Sequence, residues 1–152
     1  MRAQFVNEFL KSEVKLGNEM TVYHSSLKRI LSVSSAPIHV GTYEQAIDRA
    51  YDIESTENIP NDQIYLHKIQ IKITNPYPRI LKNIDENRDF QKLSDFTKHG
   101  PYNEFMYVNM GEGTDANFFQ KGAFDIKNLS LFIVDFEKSY ISSQRYKFKP
   151  RI

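Results

Sequence analysis

The clearest pattern in the chain is a strict apolar–polar alternation over 64–73, IYLHKIQIKI. Ile64, Leu66, Lys68, Gln70 and Lys72 fall on one side of an extended chain. Tyr65, His67, Ile69, Ile71 and Ile73 fall on the other. A period of two is the signature of a β-strand. The strand must end by Asn75-Pro76-Tyr77-Pro78, because proline cannot donate to a ladder. Shorter apolar runs predict strands at 20–24, 38–40, 104–109 (EFMYVN) and 129–136 (LSLFIVDF). Helical spacing of Phe5, Phe9, Leu10 and Leu16 predicts a helix over 2–16, stopped by Gly17-Asn18. A short helix is predicted over 27–33, with Ser25 or Ser26 as its cap and Leu27, Ile30 and Leu31 on one face. Another follows Thr42, roughly over 43–51, with Ala46, Ile47 and Ala50 inward. The polar stretch 54–62 reads as a loop, and the charged stretch 79–100 offers only a short helical face of Phe90, Leu93 and Phe96. The order is a helix, then strands mixed with short helices, then strands. It predicts one α+β domain over 1–152, built on a split or curled antiparallel β-sheet.

Composition narrows the chemistry. The chain has 152 residues, a length that suits one core. Its net charge of +1 supplies no global field toward nucleic acid or membrane. With no cysteine, disulfides, thiolate catalysis and thiolate zinc sites are excluded. The four histidines are scattered and show no metal-ligand spacing, so no metal is expected. No apolar run approaches the roughly 18 residues of a membrane span, and Arg2, Asn7 and Glu8 interrupt the start. The expectation is a soluble, cytoplasmic protein.

Two segments stand apart from that background. Thr21-Val22-Tyr23-His24-Ser25-Ser26 carries a histidine to the end of an apolar run and stops in two hydroxyl residues. Pro37-Ile38-His39-Val40-Gly41-Thr42 repeats the arrangement, with Ala46 shortly after. Two strands that each deliver an imidazole near their tip can wall a small-molecule cleft. Ser25, Ser26 and Thr42 suit either helix capping or ligand contact. Gly111-Glu112-Gly113 lacks the lysine and third glycine of a phosphate loop, and no Gly-x-Ser-x-Gly elbow is present.

On these residues, with Asn75-Pro76 and Tyr107-Val108-Asn109 after them, the chain resembles the ADP-ribosyltransferase-fold superfamily over about 20–135. Compact members encoded by bacteriophages are similar in their short loops. His39, where many relatives carry tyrosine, is similar to the RNA 2'-phosphotransferase branch. The resemblance implies a split sheet around NAD, which serves as substrate. It implies that His24 bonds the adenine-side ribose, and that the backbone and hydroxyl beside it, at Ser25 and Ser26, hold the nicotinamide carboxamide. His39 or Tyr51 would line the nicotinamide end, beside Thr42. A carboxylate would stabilise the oxocarbenium-like transition state as nicotinamide leaves. Asn117 stands where that glutamate is sought, so Glu112 or Asp115 from the preceding loop is expected to substitute, with Glu104 more distant. Met110 occupies the place that marks arginine-directed relatives, so arginine as the target is not supported, and the implied acceptor is a protein or nucleic acid.

Two rival readings remain. One is a binding or inhibitory module on the same fold without its acid. The other is a small nucleic-acid-binding protein led by Arg145, Lys147, Lys149 and Arg151, which alternate with Tyr146, Phe148 and Pro150. The bland form of that tail is a charged edge strand.

Overall fold

A computed structural model describes residues 17–84, 101–109 and 129–149. In chain order its strands are β1 (Glu19–Ser26), β2 (Ile38–Val40), β3 (Tyr65–Lys72), β4 (Leu81–Ile84), β5 (Glu104–Asn109), β6 (Leu129–Ile133) and β7 (Tyr140–Lys147). Helix α1 (Tyr43–Thr56) follows β2, and the short α2 (Phe136–Ser139) separates β6 from β7. The alternating run forms β3 at the centre of a three-stranded antiparallel sheet, in the order β1-β3-β7. The second sheet runs β2-β6-β5-β4. It is antiparallel except for the β4–β5 pair, which is parallel.

Strand alternation distributes the core. Met20 and Val22 of β1 and Ile69 and Ile71 of β3 meet Val40, Met106, Leu129, Leu131 and Ile133 of the other sheet, closed by Phe136. The opposite parity, Tyr23, Leu66 and the nearby Phe148, packs on Tyr43, Ala46, Ala50 and Ile53 of α1. A third cluster, Phe105, Tyr107 and Phe132, lies on the other face of the four-stranded sheet with Tyr77, Leu81 and Tyr102 around it. Each fully buried apolar side chain contributes roughly 1.5–3 kcal/mol.

Four expectations shift. Residues 27–33 do not form a helix. Ile30 is 76% exposed and Leu27 47%, and only Leu31 reaches the core. Seven residues without a buried stripe cannot offset helix nucleation, so Ser25 and Ser26 complete β1 and do not cap anything. Helix α1 runs past Tyr51 to Thr56, because Ile53 extends the buried Ala46–Ala50 stripe by one turn. The apolar run at 129–136 stops as a strand at Ile133. Asp135 then accepts a bond from the Lys138 N–H and caps α2. Strand β4 was hidden inside a charged stretch. The helix at 2–16 and the face of Phe90, Leu93 and Phe96 lie outside the described residues. Among the described residues no helix is long and apolar enough to cross a membrane.

Candidate functional site: a split between two sheets

Above their shared core, β1 meets the end of β2 through backbone bonds at one point. Tyr23 and Gly41 form an isolated antiparallel bridge, with N–H···O distances of 2.7 and 3.0 Å in the two directions. Continued for one more step, the ladder would pair Ser25 with His39. It does not, because the His24 ring intervenes and donates from Nδ1 to the His39 carbonyl at 2.8 Å. The imidazole takes the acceptor that the Ser25 N–H would have used. Alternation along β1 turns the Ser25 N–H and C=O to the same side as those of Tyr23, into the opening. β1 and β2 therefore separate beyond the bridge.

Local sequence explains why β2 leaves so abruptly. Thr42 is the N-cap of α1 in a capping box. Its hydroxyl accepts from the Gln45 N–H at 3.2 Å, while the Gln45 side-chain carbonyl accepts from the Thr42 N–H at 2.8 Å. Gly41 is required beside it, since a Cβ there would collide with the Gln45 carboxamide and press on Ser130.

Beyond the bridge lies a cleft of about 540 Å³. His24, Ser25 and Ser26 line one wall, residues 27, 28, 30–32, 34 and 36–38 the rim, and Arg49, Ile53 and Glu57 of α1 the other side, with Phe136 also facing in. The size suits a small organic ligand. Ser25 is only 7% exposed, and its hydroxyl has no hydrogen-bond partner among the described residues. A buried hydroxyl in that state costs about 1–3 kcal/mol until something bonds it. Lys28 and Arg49 bring positive charge to the cleft. Arg49 lies 3.7 Å from the Glu57 carboxylate two helical turns away, and both side chains are about half exposed.

A second imidazole supports the wall from behind. His67 sits opposite His24 in the β1–β3 register, with ring centroids 6.4 Å apart, and is fully buried. Its Nε2–H donates to Ser26 Oγ at 3.0 Å and to the Lys28 carbonyl at 3.2 Å, while the Ser26 hydroxyl donates to the same carbonyl. Burial pushes the His67 ring down to about 4. The His24 ring and Arg145 push the same way, and the bond to the Lys28 carbonyl works against them. At neutral pH His67 is thus an uncharged prop under the rim. Its place mid-strand among apolar neighbours gives no hint of that role, which depends on the register that sets it opposite His24.

The other site residues separate. The His39 backbone is at the split, but its ring lies on the far face of the four-stranded sheet, 2.9 Å from the Tyr107 hydroxyl and packed on Phe132. Thr42 is buried and engaged as a cap. Tyr51 is half-buried with its ring edge-on to Phe148 at 5.0 Å, in the α1 core and away from the cleft lining. Glu112 and Asp115 lie outside the described residues. Glu104 is fully buried and accepts bonds from the Thr74 N–H and hydroxyl, the Asn75 N–H, Asn103 Nδ2 and the Ser139 hydroxyl. It is a structural anchor for the 74–75 turn, not a cleft acid. Among the described residues no group of acids and histidines is placed to hold a metal ion.

No protein-family model, curated protein or solved structure that was compared with the chain matches it. The functional reading therefore rests on the geometry of the split.

Proposed function

We propose that the protein is an NAD-dependent ADP-ribosyltransferase whose substrate enters the split between β1 and β2. The observation that carries this reading is the His24 imidazole on the His39 carbonyl, which opens the ladder and turns Ser25 into the cleft. Ser25 then offers one N–H donor, one C=O acceptor and a hydroxyl with no partner among the described residues. A primary carboxamide such as that of nicotinamide has the complementary pair, one C=O and one NH2. The cations Lys28 and Arg49 suit a diphosphate bridge between the two nucleoside halves. His24, partly exposed in the wall, suits a ribose hydroxyl. Glu112, or Asp115, supplies the carboxylate that stabilises positive charge on the ribose as the glycosidic bond breaks. The acceptor of the ADP-ribosyl group is a protein or nucleic-acid nucleophile.

The test is release of free nicotinamide from NAD, followed chromatographically, alongside direct measurement of NAD binding. His24→Ala is expected to abolish turnover while the melting temperature changes by only a few degrees. Glu112→Gln is expected to lower turnover by about two orders of magnitude. If Asp115→Asn does so instead, the acid is misassigned but the activity stands. NAD binding without nicotinamide release would leave a binding module on this site. Absence of both binding and release with the unaltered chain would reject the reading.

A further inference from the structure

The alternating basic tail is only in part an edge strand. β7 is an outer strand of its sheet, and Tyr146 and Phe148 turn inward onto the α1 core. Arg145, Lys147 and Lys149 therefore project from the other side, all exposed. They do not project alone. Arg145 Nη1 donates to the Arg29 carbonyl at 3.2 Å, and its guanidinium lies 5.9 Å from the centre of the Tyr65 ring. That contact brings exposed Arg29, from a different segment, beside Arg145. Among the described residues, no carboxylate lies within 4 Å of any of these four side chains.

A charge guard against strand pairing would be spread along β7. The first half of the strand, residues 140–144, carries no charge and exposes Ile141. The positive charge is instead gathered at the end that meets the 28–29 segment. Successive outward side chains on a strand stand about 7 Å apart, comparable to the step from phosphate to phosphate along a nucleic-acid strand. Unneutralised cations at that interval, beside a partly exposed tyrosine ring, match a backbone that presents one charge per unit and bases that stack.

We propose that Arg29, Arg145, Lys147 and Lys149 form a docking strip for the phosphodiester backbone of a nucleic acid. The strip does not use the cleft or NAD, so its test is independent of the activity proposed above. The probe is a fluorescent single-stranded oligonucleotide of about 20 residues, read by anisotropy across a salt series without NAD. Binding is expected at low salt, with log Kobs falling against log[salt] at a slope of about −3 if all four cations engage. Lys147→Gln/Lys149→Gln removes two charges that make no described contact, so the fold is expected to persist by circular dichroism. Its slope should become shallower by about 1.4, and low-salt affinity should fall at least several-fold. A peptide-backbone oligomer of the same base sequence should not bind. Absence of binding at low salt overturns the proposal, as does a slope unchanged in the double variant. Displacement of the oligonucleotide by polyglutamate at equal charge concentration also overturns it, in favour of an acidic protein partner.

Discussion

Protonating His67 should loosen the protein, and the size of the effect follows from where the ring sits. In an unfolded chain the ring titrates near 6.5, whereas in the fold burial holds it near 4. Its neighbours in register are His24 on β1 and Arg145 on β7, neither of which can stabilise an imidazolium. As the pH drops below 6.5, the unfolded chain binds a proton that the folded chain refuses. Stability associated with neutral His67 is therefore complete above about pH 6.5, falls progressively toward pH 4, and levels off below that. The full difference is at most about 3 kcal/mol, and the part between pH 7.5 and 5 is about 2 kcal/mol. For a chain of this length that part corresponds to roughly 4 to 8 °C in melting temperature.

The comparison that isolates it is His67→Gln, whose amide can still donate to the Lys28 carbonyl but cannot titrate. Melting temperature is measured for both chains by circular dichroism from pH 7.5 to 5. All other groups contribute to both curves, so the difference between them should narrow by about 2 kcal/mol as the pH falls. Parallel curves would refute the reasoning, because they would mean that His67 is solvated or paired enough to charge in place.

Two further outcomes test the construction around the split. Gly41→Ala should cost about 1–3 kcal/mol in urea unfolding, because the new methyl displaces the Gln45 carboxamide from the capping box. An unchanged midpoint would show that the carboxamide can move aside freely. Glu104→Gln should cost roughly 2–3 kcal/mol, since in either orientation its amide NH2 faces a donor, Asn103 Nδ2 or the Thr74 and Asn75 N–H groups. Nicotinamide release per folded molecule should not change in that variant, and a selective loss of turnover would return Glu104 to the list of catalytic candidates.

Much of the frame was legible because strand periodicity is local. The parity of 64–73 placed Ile69 and Ile71 in one core and Leu66 in another, and Thr42 announced the start of α1. What misled was the same locality. Leu27, Ile30 and Leu31 have helical spacing, yet no surface exists for that face to cover. The segment is instead held by bonds from His67 and Arg145 to its carbonyls, groups about 39 and 116 residues away in sequence. The pairing of two histidine-bearing strand ends was readable, but the directions of their rings were not. His39 follows the parity of β2 onto Tyr107 and Phe132, and Tyr51 follows α1 onto Phe148. Side-chain parity fixes each face only once the neighbouring strand is known.

The cleft can be traced to a single competition for one acceptor. A backbone carbonyl at a sheet junction must be bonded, and the usual donor is the next N–H in the ladder. At His39 that donor would belong to Ser25, and the two sheets would fuse into one. A ring nitrogen at 2.8 Å satisfies that carbonyl in place of the Ser25 N–H. The cost falls on Ser25, whose hydroxyl is buried with no described partner. His67 keeps the outer wall from collapsing into the gap by bonding Ser26 and Lys28 from behind. Opening the ladder leaves the Ser25 N–H and C=O facing the cleft, beside a buried hydroxyl with no described partner, and in the function proposed above a ligand carboxamide is set against them.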